Sequence, residues 1–207
     1  LNDSVVSTTL KQALYKEYEQ ALEQKDLKRL EKIVDFVNQK VLLEWQKIGA
    51  DLDSMNDDNF CFLGHSTRST DHYENFFTPL VSTSLFNQEF NDTYKGRFGF
   101  IMPPENIVAA SSSDLYVDNH EENKEKMFFT TKIAKIDSPA KIINDNLQLR
   151  AQNLKKGRKE RIYSEVVINA SSSFNPIGVF CFTTGALDYD FDYVSAKKLA
   201  ENNNLPL

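Results

Sequence analysis

The sequence predicts an α+β fold, with helices first and a mostly antiparallel β core after them. Three observations lead there. Apolar residues recur at helical spacing through the first fifty positions. Short β-branched and aromatic runs, separated by turn residues, fill the chain from about residue 58 onward. The 207 residues are 41% apolar and 26% charged, enough for a sizeable core without disulfide or metal staples.

The helices come first in the chain. Leu10, Leu14, Tyr18 and Leu22 recur every four residues and mark one helix face. A second stretch opens at Asp26, an N-cap residue type, and runs through Leu30, Ile33, Val34, Val37, Val41, Leu42, Trp45 and Ile48. Gly49 follows the last periodic position and suits a helix end. Residues 1–55 thus read as a helical hairpin, either packed on the remaining chain or serving as an arm for a partner. Residues 56–200 read as the second unit. Its strand candidates are Phe60–Leu63, Phe98–Met102 (stopped by Pro103-Pro104), Asn106–Ala110, Lys126–Ile136, Ile162–Ile168 and Ile177–Thr183. The polar segment Ile142–Leu154 fits either a helix or an ordered loop, and Ser111–Glu125 reads as a long polar connection. The last eight residues read as a helix end or a linker.

Charge and cysteine content narrow the function classes. The balance of 24 basic to 30 acidic residues, net −6, is unlike the basic stripe of a nucleic-acid binder. The one dense cationic run, Lys155–Arg161, reads as a solvated loop. No apolar run reaches about 18 residues, so no membrane partner is expected. Cys61 and Cys181 are too few for a disulfide scaffold or a four-thiolate zinc site, which favours a reducing compartment. The chain begins at Leu1 and carries no charged-then-apolar signal segment, so it reads as a piece excised from a longer protein.

Three segments hold residue types suited to chemistry. Gly64-His65-Ser66-Thr67-Arg68 follows the apolar run Phe60–Leu63, where a strand can present a ligand site. There His65 can donate to a ribose hydroxyl and Arg68 can grip a phosphate; equally, they fit a half-buried histidine and a surface charge. Ser82-Thr83-Ser84 sets three small hydroxyls between Val81 and Leu85, although similar triplets recur at Ser111–Ser113 and Ser171–Ser173. Glu165 interrupts the β-branched run Ile162–Ile168, sharing a face with Tyr163 and Val167. A carboxylate there serves a cleft or sits on an edge strand, because burying it bare is costly.

In their order these segments resemble the ADP-ribosyltransferase superfamily, which includes bacterial toxins and poly-ADP-ribose polymerases. His65-Ser66-Thr67 is similar to the family's first NAD-holding motif, with Ser in place of Gly. Ser82-Thr83-Ser84 matches the second motif, and Glu165 matches the catalytic glutamate on a late strand. Asn175–Phe180 is similar to the closing strand, and Lys155–Arg161 falls where the family has its substrate-recognition loop. The resemblance spans about residues 58–185 and implies a split β-core of two small sheets around an NAD cleft.

What the resemblance implies chemically is cleavage of the nicotinamide–ribose bond of NAD through an oxocarbenium ion, related to glycoside hydrolysis. Glu165 would stabilise that charge through the ribose 2′-hydroxyl, with Ser82 or Ser84 orienting the carboxylate or touching the nicotinamide ribose. His65 would hold a ribose hydroxyl, Arg68 a phosphate, and backbone atoms of Ser66 the carboxamide. ADP-ribose would pass to a target protein, and the chain would be a bacterial effector acting in host cytoplasm. Tyr163 stands where arginine-directed members have a second glutamate, so the acceptor residue stays open.

Other readings draw on other residues. Cys61, four positions before His65, gives a thiol enzyme, although a cysteine in an aromatic run is commonly a small buried hydrophobe. His65, His72, His120 and Asp118 match no zinc spacing. The hairpin alone supports a non-catalytic interaction module.

Overall fold

The computed structural model describes residues 8–48, 61–73, 80–87, 97–113, 136–157, 164–169, 175–182 and 191–207. Helices α1 (Thr8–Glu23) and α2 (Leu27–Lys47) form a hairpin. Asp26 caps α2 by accepting from the Arg29 backbone N–H at 3.1 Å, and Lys25 turns the connection at a φ of 53°. The two helices are tied further by Arg29 Nε donating to Glu17 at 3.3 Å.

The chain then builds six strands: β1 (Phe62–Ser66), β2 (Leu80–Phe86), β3 (Phe98–Met102), β4 (Ile107–Ser111), β5 (Glu165–Asn169) and β6 (Gly178–Cys181). They lie in the order β4-β5-β2-β1-β3-β6, and every pairing between them is antiparallel. Helix α3 (Pro139–Lys155) precedes β5, and α4 (Phe191–Asn203) follows β6. The fold is α+β, as the periodicities indicate.

Alternation along the strands gives the sheet two different faces. On one face Leu63, Leu85, Phe100 and Val166 join a core completed by Trp45 of α2, Ile142 of α3 and Leu199 of α4. Trp45 is fully buried and its indole N–H donates to the Asp137 carbonyl at 3.0 Å. The carboxyl-terminal half of α2 therefore shares one core with the sheet. On the other face Phe86, Ile101 and Phe180 pack with Phe62, Ile177 and Phe182.

Several boundaries differ from the expectation. The first strand does not stop at Leu63: it runs to Ser66, because its ladder with β3 continues to Ser66–Gly99. His65 and Ser66 are thus strand residues. The ambiguous polar segment is helical and begins earlier than Ile142, with Ser138 as N-cap and Pro139 at its first turn. Residues 126–135, 162–163 and 183 of the expected strands lie outside the described residues, and Ile136 makes an isolated parallel bridge to Ala110. The end of the chain is docked. Leu205 packs against the core, and the Pro206 carbonyl accepts from Val179 N–H at 2.8 Å on edge strand β6.

Candidate functional site

Strand β2 changes partners along its length, and the candidate site lies where it does so. Its end, Ser84–Phe86, pairs with Gly64–Phe62 of β1; its start, Leu80–Thr83, pairs with Asn169–Val166 of β5. The β1–β2 ladder therefore ends at Gly64–Ser84, although β1 continues to Ser66 along β3. In an antiparallel ladder, backbone groups point alternately to the two sides. Thr67 N–H donates to the Phe98 carbonyl on the β3 side, so the Ser66 N–H and carbonyl face β2, past the end of the ladder.

The Ser82 carbonyl, which a continued ladder would have paired with β1, instead lies 2.8 Å from His65 Nδ1. A carbonyl only accepts, so Nδ1 carries the proton in this contact. On the same residue, Ser82 Oγ donates to Glu165 Oε1 at 2.7 Å. His65, Ser82 and Glu165, drawn from β1, β2 and β5, are thus joined in one chain of hydrogen bonds.

Glu165 is fully buried at the first position of β5, opposite Ser111 of β4. Two further bonds lock β5 onto β2 around it. Thr83 Oγ1 donates to the Val166 carbonyl at 2.7 Å, and Leu85 N–H donates to Ser164 Oγ at 3.1 Å. This clamp fixes the carboxylate by packing and by neighbouring bonds, as a preorganised electrostatic group requires.

The three hydroxyls of the second motif have separate tasks. Ser82 and Ser84 share the face of Glu165. Thr83, expected among the NAD-binding residues, is 2% exposed on the opposite, core-lining face, with its hydroxyl committed to Val166. In the first motif, Ser66 is half-buried and Thr67 Oγ1 accepts from Ser69 N–H at 3.0 Å, closing a tight turn. Arg68 is exposed in that turn. Hydrogen bonds join His65, Ser82 and Glu165. By register Ser66, Ser82, Ser84 and Glu165 share one face, whereas His65, opposite Phe100, falls on the core-lining face with Thr83. Thr67 and Arg68 lie beyond the end of β1.

Two glycines make the close approach possible. A Cβ on Gly64 would stand 2.6 Å from Phe86 Cδ2 and 2.8 Å from Phe180 Cε1. A Cβ on Gly99 would meet the His65 carbonyl group, with Ser66 Cα only 2.8 Å away.

The chain matches no family model, no curated protein and no solved structure.

Residues beyond the three motifs support the site. The loop after β1 is held by α4: Asn203 Nδ2 donates to the Asp71 carbonyl at 3.2 Å and Asn203 Oδ1 accepts from Tyr73 N–H at 2.9 Å. Tyr73 OH donates to Asn175 Oδ1 at 2.7 Å, and its ring meets Phe100 edge-on. Nothing in the sequence marks Asn203, because its partners in that loop lie 130 or more positions away.

The rival residues are arranged differently. Cys61 is buried, and burial pushes its thiol up, only partly offset by a hydrogen bond with Asn87. An activated thiol is shifted the other way. His72 is exposed, while His120, Asp118, Tyr163 and residues 158–161 of the cationic run lie outside the described residues. A cleft of about 530 Å³ runs between α2 and the β3–β4 turn, lined by Leu42, Gln46 and residues 103–107. It adjoins the Ile107 end of β4, whereas Glu165 pairs with Ser111 at the other end.

Proposed function

We propose that this chain is an NAD-dependent mono-ADP-ribosyltransferase with Glu165 as its catalytic carboxylate. The observation that carries the reading is the Ser82–Glu165 hydrogen bond of 2.7 Å, with His65 holding the same serine from the other side. It unites the three segments that the family resemblance singles out.

On this reading the NAD cleft is the gap between β1 and β2 beyond Gly64–Ser84. The Ser66 N–H and carbonyl, facing that gap, present one donor and one acceptor, the pair a carboxamide requires. On this reading His65, whose Nδ1 donates to the Ser82 carbonyl, positions Ser82 at the head of the cleft and does not donate that proton to a ribose hydroxyl. Arg68 at the rim meets a phosphate. Thr83 leaves the cofactor site and becomes a structural staple.

NAD is here a substrate. As the C–N bond to nicotinamide breaks, its electron pair leaves with the ring and positive charge develops on the ribose. Glu165 is fully buried, so on this reading NAD binding must open the site before the carboxylate opposes that charge through the 2′-hydroxyl, an interaction stronger in the transition state than in bound NAD. The acceptor is a nucleophile on a target protein. We place the chain among bacterial effectors that act on a host protein in host cytoplasm, an assignment that follows from the family resemblance alone. The experiment is incubation with NAD, reading free nicotinamide. Release above the uncatalysed rate supports the reading. No release, together with no heat of NAD binding by titration calorimetry, removes it and leaves the hairpin-based interaction module.

A further inference from the structure

Helix α2 carries a second patterned face that the NAD reading does not use. Arg29, Lys32, Phe36, Lys40, Leu43 and Lys47 follow one another at spacings of three, four, four, three and four residues. That pattern puts all six on one stripe of the helix, about 27 Å long at about 1.5 Å per residue. Trp45, buried in the core, lies on the opposite side of the helix. The stripe is accordingly outward: Phe36 is 38% and Leu43 50% exposed. The acidic residues of α2, Glu31, Asp35 and Glu44, all fall off it. Arg29 is bound by Glu17 of α1 at 3.3 Å, and Lys40 Nζ stands 5.5 Å above the Phe36 ring. The working charge is therefore that of Lys32, Lys40 and Lys47, gathered in a chain whose net charge is −6.

We propose that this stripe docks the protein on an anionic membrane surface, independently of the NAD reading. Charge complementarity selects a polyanion, and the residue types select a bilayer. The cores of protein–protein interfaces favour aromatic residues, Met and Arg, of which this stripe has only Phe36 and the already paired Arg29, and are depleted in Lys, of which it has three. A diffuse headgroup potential instead recruits lysines, whose stems let neighbouring Phe and Leu side chains enter the interface. With overall charge −6, this face presents the favourable approach to such a surface. The contact is peripheral, since no helix among the described residues is long and apolar enough to cross a membrane.

The test is sedimentation of the full chain with phosphatidylcholine vesicles, with and without phosphatidylserine. Binding is expected only with phosphatidylserine and is released by salt. Lys32→Ala/Lys40→Ala/Lys47→Ala should lower partitioning by about 10²-fold, about fivefold per lysine. Phe36→Ser/Leu43→Ser should weaken it as well. Lys197→Ala/Lys198→Ala, on exposed positions of α4, should leave it unchanged, and all variants should keep the parent melting temperature. Equal binding to uncharged vesicles, no binding to either, or binding that survives the triple substitution would overturn the proposal. So would stripe-dependent capture by heparin or an acidic peptide without vesicle binding, which assigns the face to a soluble polyanion.

Discussion

Ser82 and Glu165 stand 83 positions apart in the chain, and a hydrogen bond of 2.7 Å from Ser82 Oγ to Glu165 Oε1 joins them across β2 and β5. On the same strand, Thr83 faces the other way and donates to the Val166 carbonyl at 2.7 Å. Adjacent hydroxyls of one motif therefore hold a side chain on one face and a backbone on the other, which gives them separable phenotypes. Ser82→Ala should lower kcat for nicotinamide release by about 10-fold to 10²-fold while KM for NAD changes little, since it loosens a group that acts in the transition state. Thr83→Val should cost about 1 kcal/mol of stability by removing the side-chain bond to the buried Val166 carbonyl, with kcat of the folded fraction retained. Steady-state kinetics beside urea unfolding separates the two.

Gly64 and Gly99 set how closely β1 can lie against its neighbours. Gly99→Ala forces a methyl into the His65 backbone, which has no flexible end to move away. Gly64→Ala presses on two aromatic rings that can tilt. Both should lower the melting temperature, Gly99→Ala more, by several degrees at about 1–3 kcal/mol of overpacking. Differential scanning calorimetry of the two variants reads the order.

Trp45 links the hairpin to the sheet through the shared core and through its bond to Asp137 at 3.0 Å. Trp45→Ala should cost about 3–5 kcal/mol and lower the cooperative transition of the whole described fold. Far-ultraviolet circular dichroism and the tyrosine near-ultraviolet signal should then melt together; separate transitions would show that the hairpin and sheet unfold independently.

Cys61 tests the thiol reading. Its raised pKa and burial keep it neutral and shielded near pH 7.5, so iodoacetamide should label the half-buried Cys181 first. The sign of the pH effect on stability follows. The folded thiol titrates above its ordinary value, so its contribution is full below that value and is lost as pH rises toward the folded pKa. Cys61→Ser should leave nicotinamide release intact. Loss of release in that variant, with its fold preserved, would favour the thiol enzyme.

The hairpin was legible because one period governs each of its helices, and Asp26 caps α2 as its residue type indicates. Helix α3 is ambiguous from its sparse apolar positions, although Ser138-Pro139 is a helix-start signal. The end of β1 is not legible in the sequence, because polar His65 and Ser66 have loop-like composition while register with β3 keeps them extended. The candidate residues could be picked by type and order, but their contacts could not. The Ser82–Glu165 bond depends on β2 and β5 pairing, and the backbone of Ser66 faces the gap only because the β1–β2 ladder stops at Gly64. Such register is set by tertiary packing, which one sequence does not display. The loop contacts of Asn203 are hidden from the sequence for the same reason.

The most direct measurement is nicotinamide release from NAD by the parent chain and by Glu165→Gln, with NAD affinity measured for both by calorimetry. The glutamine keeps the size and an acceptor for Ser82 but removes the negative charge. The account predicts a fall in kcat of about 10²-fold or more with an unchanged dissociation constant, because Glu165 acts on charge that develops only in the transition state. Release that proceeds at the parent rate in Glu165→Gln would contradict it.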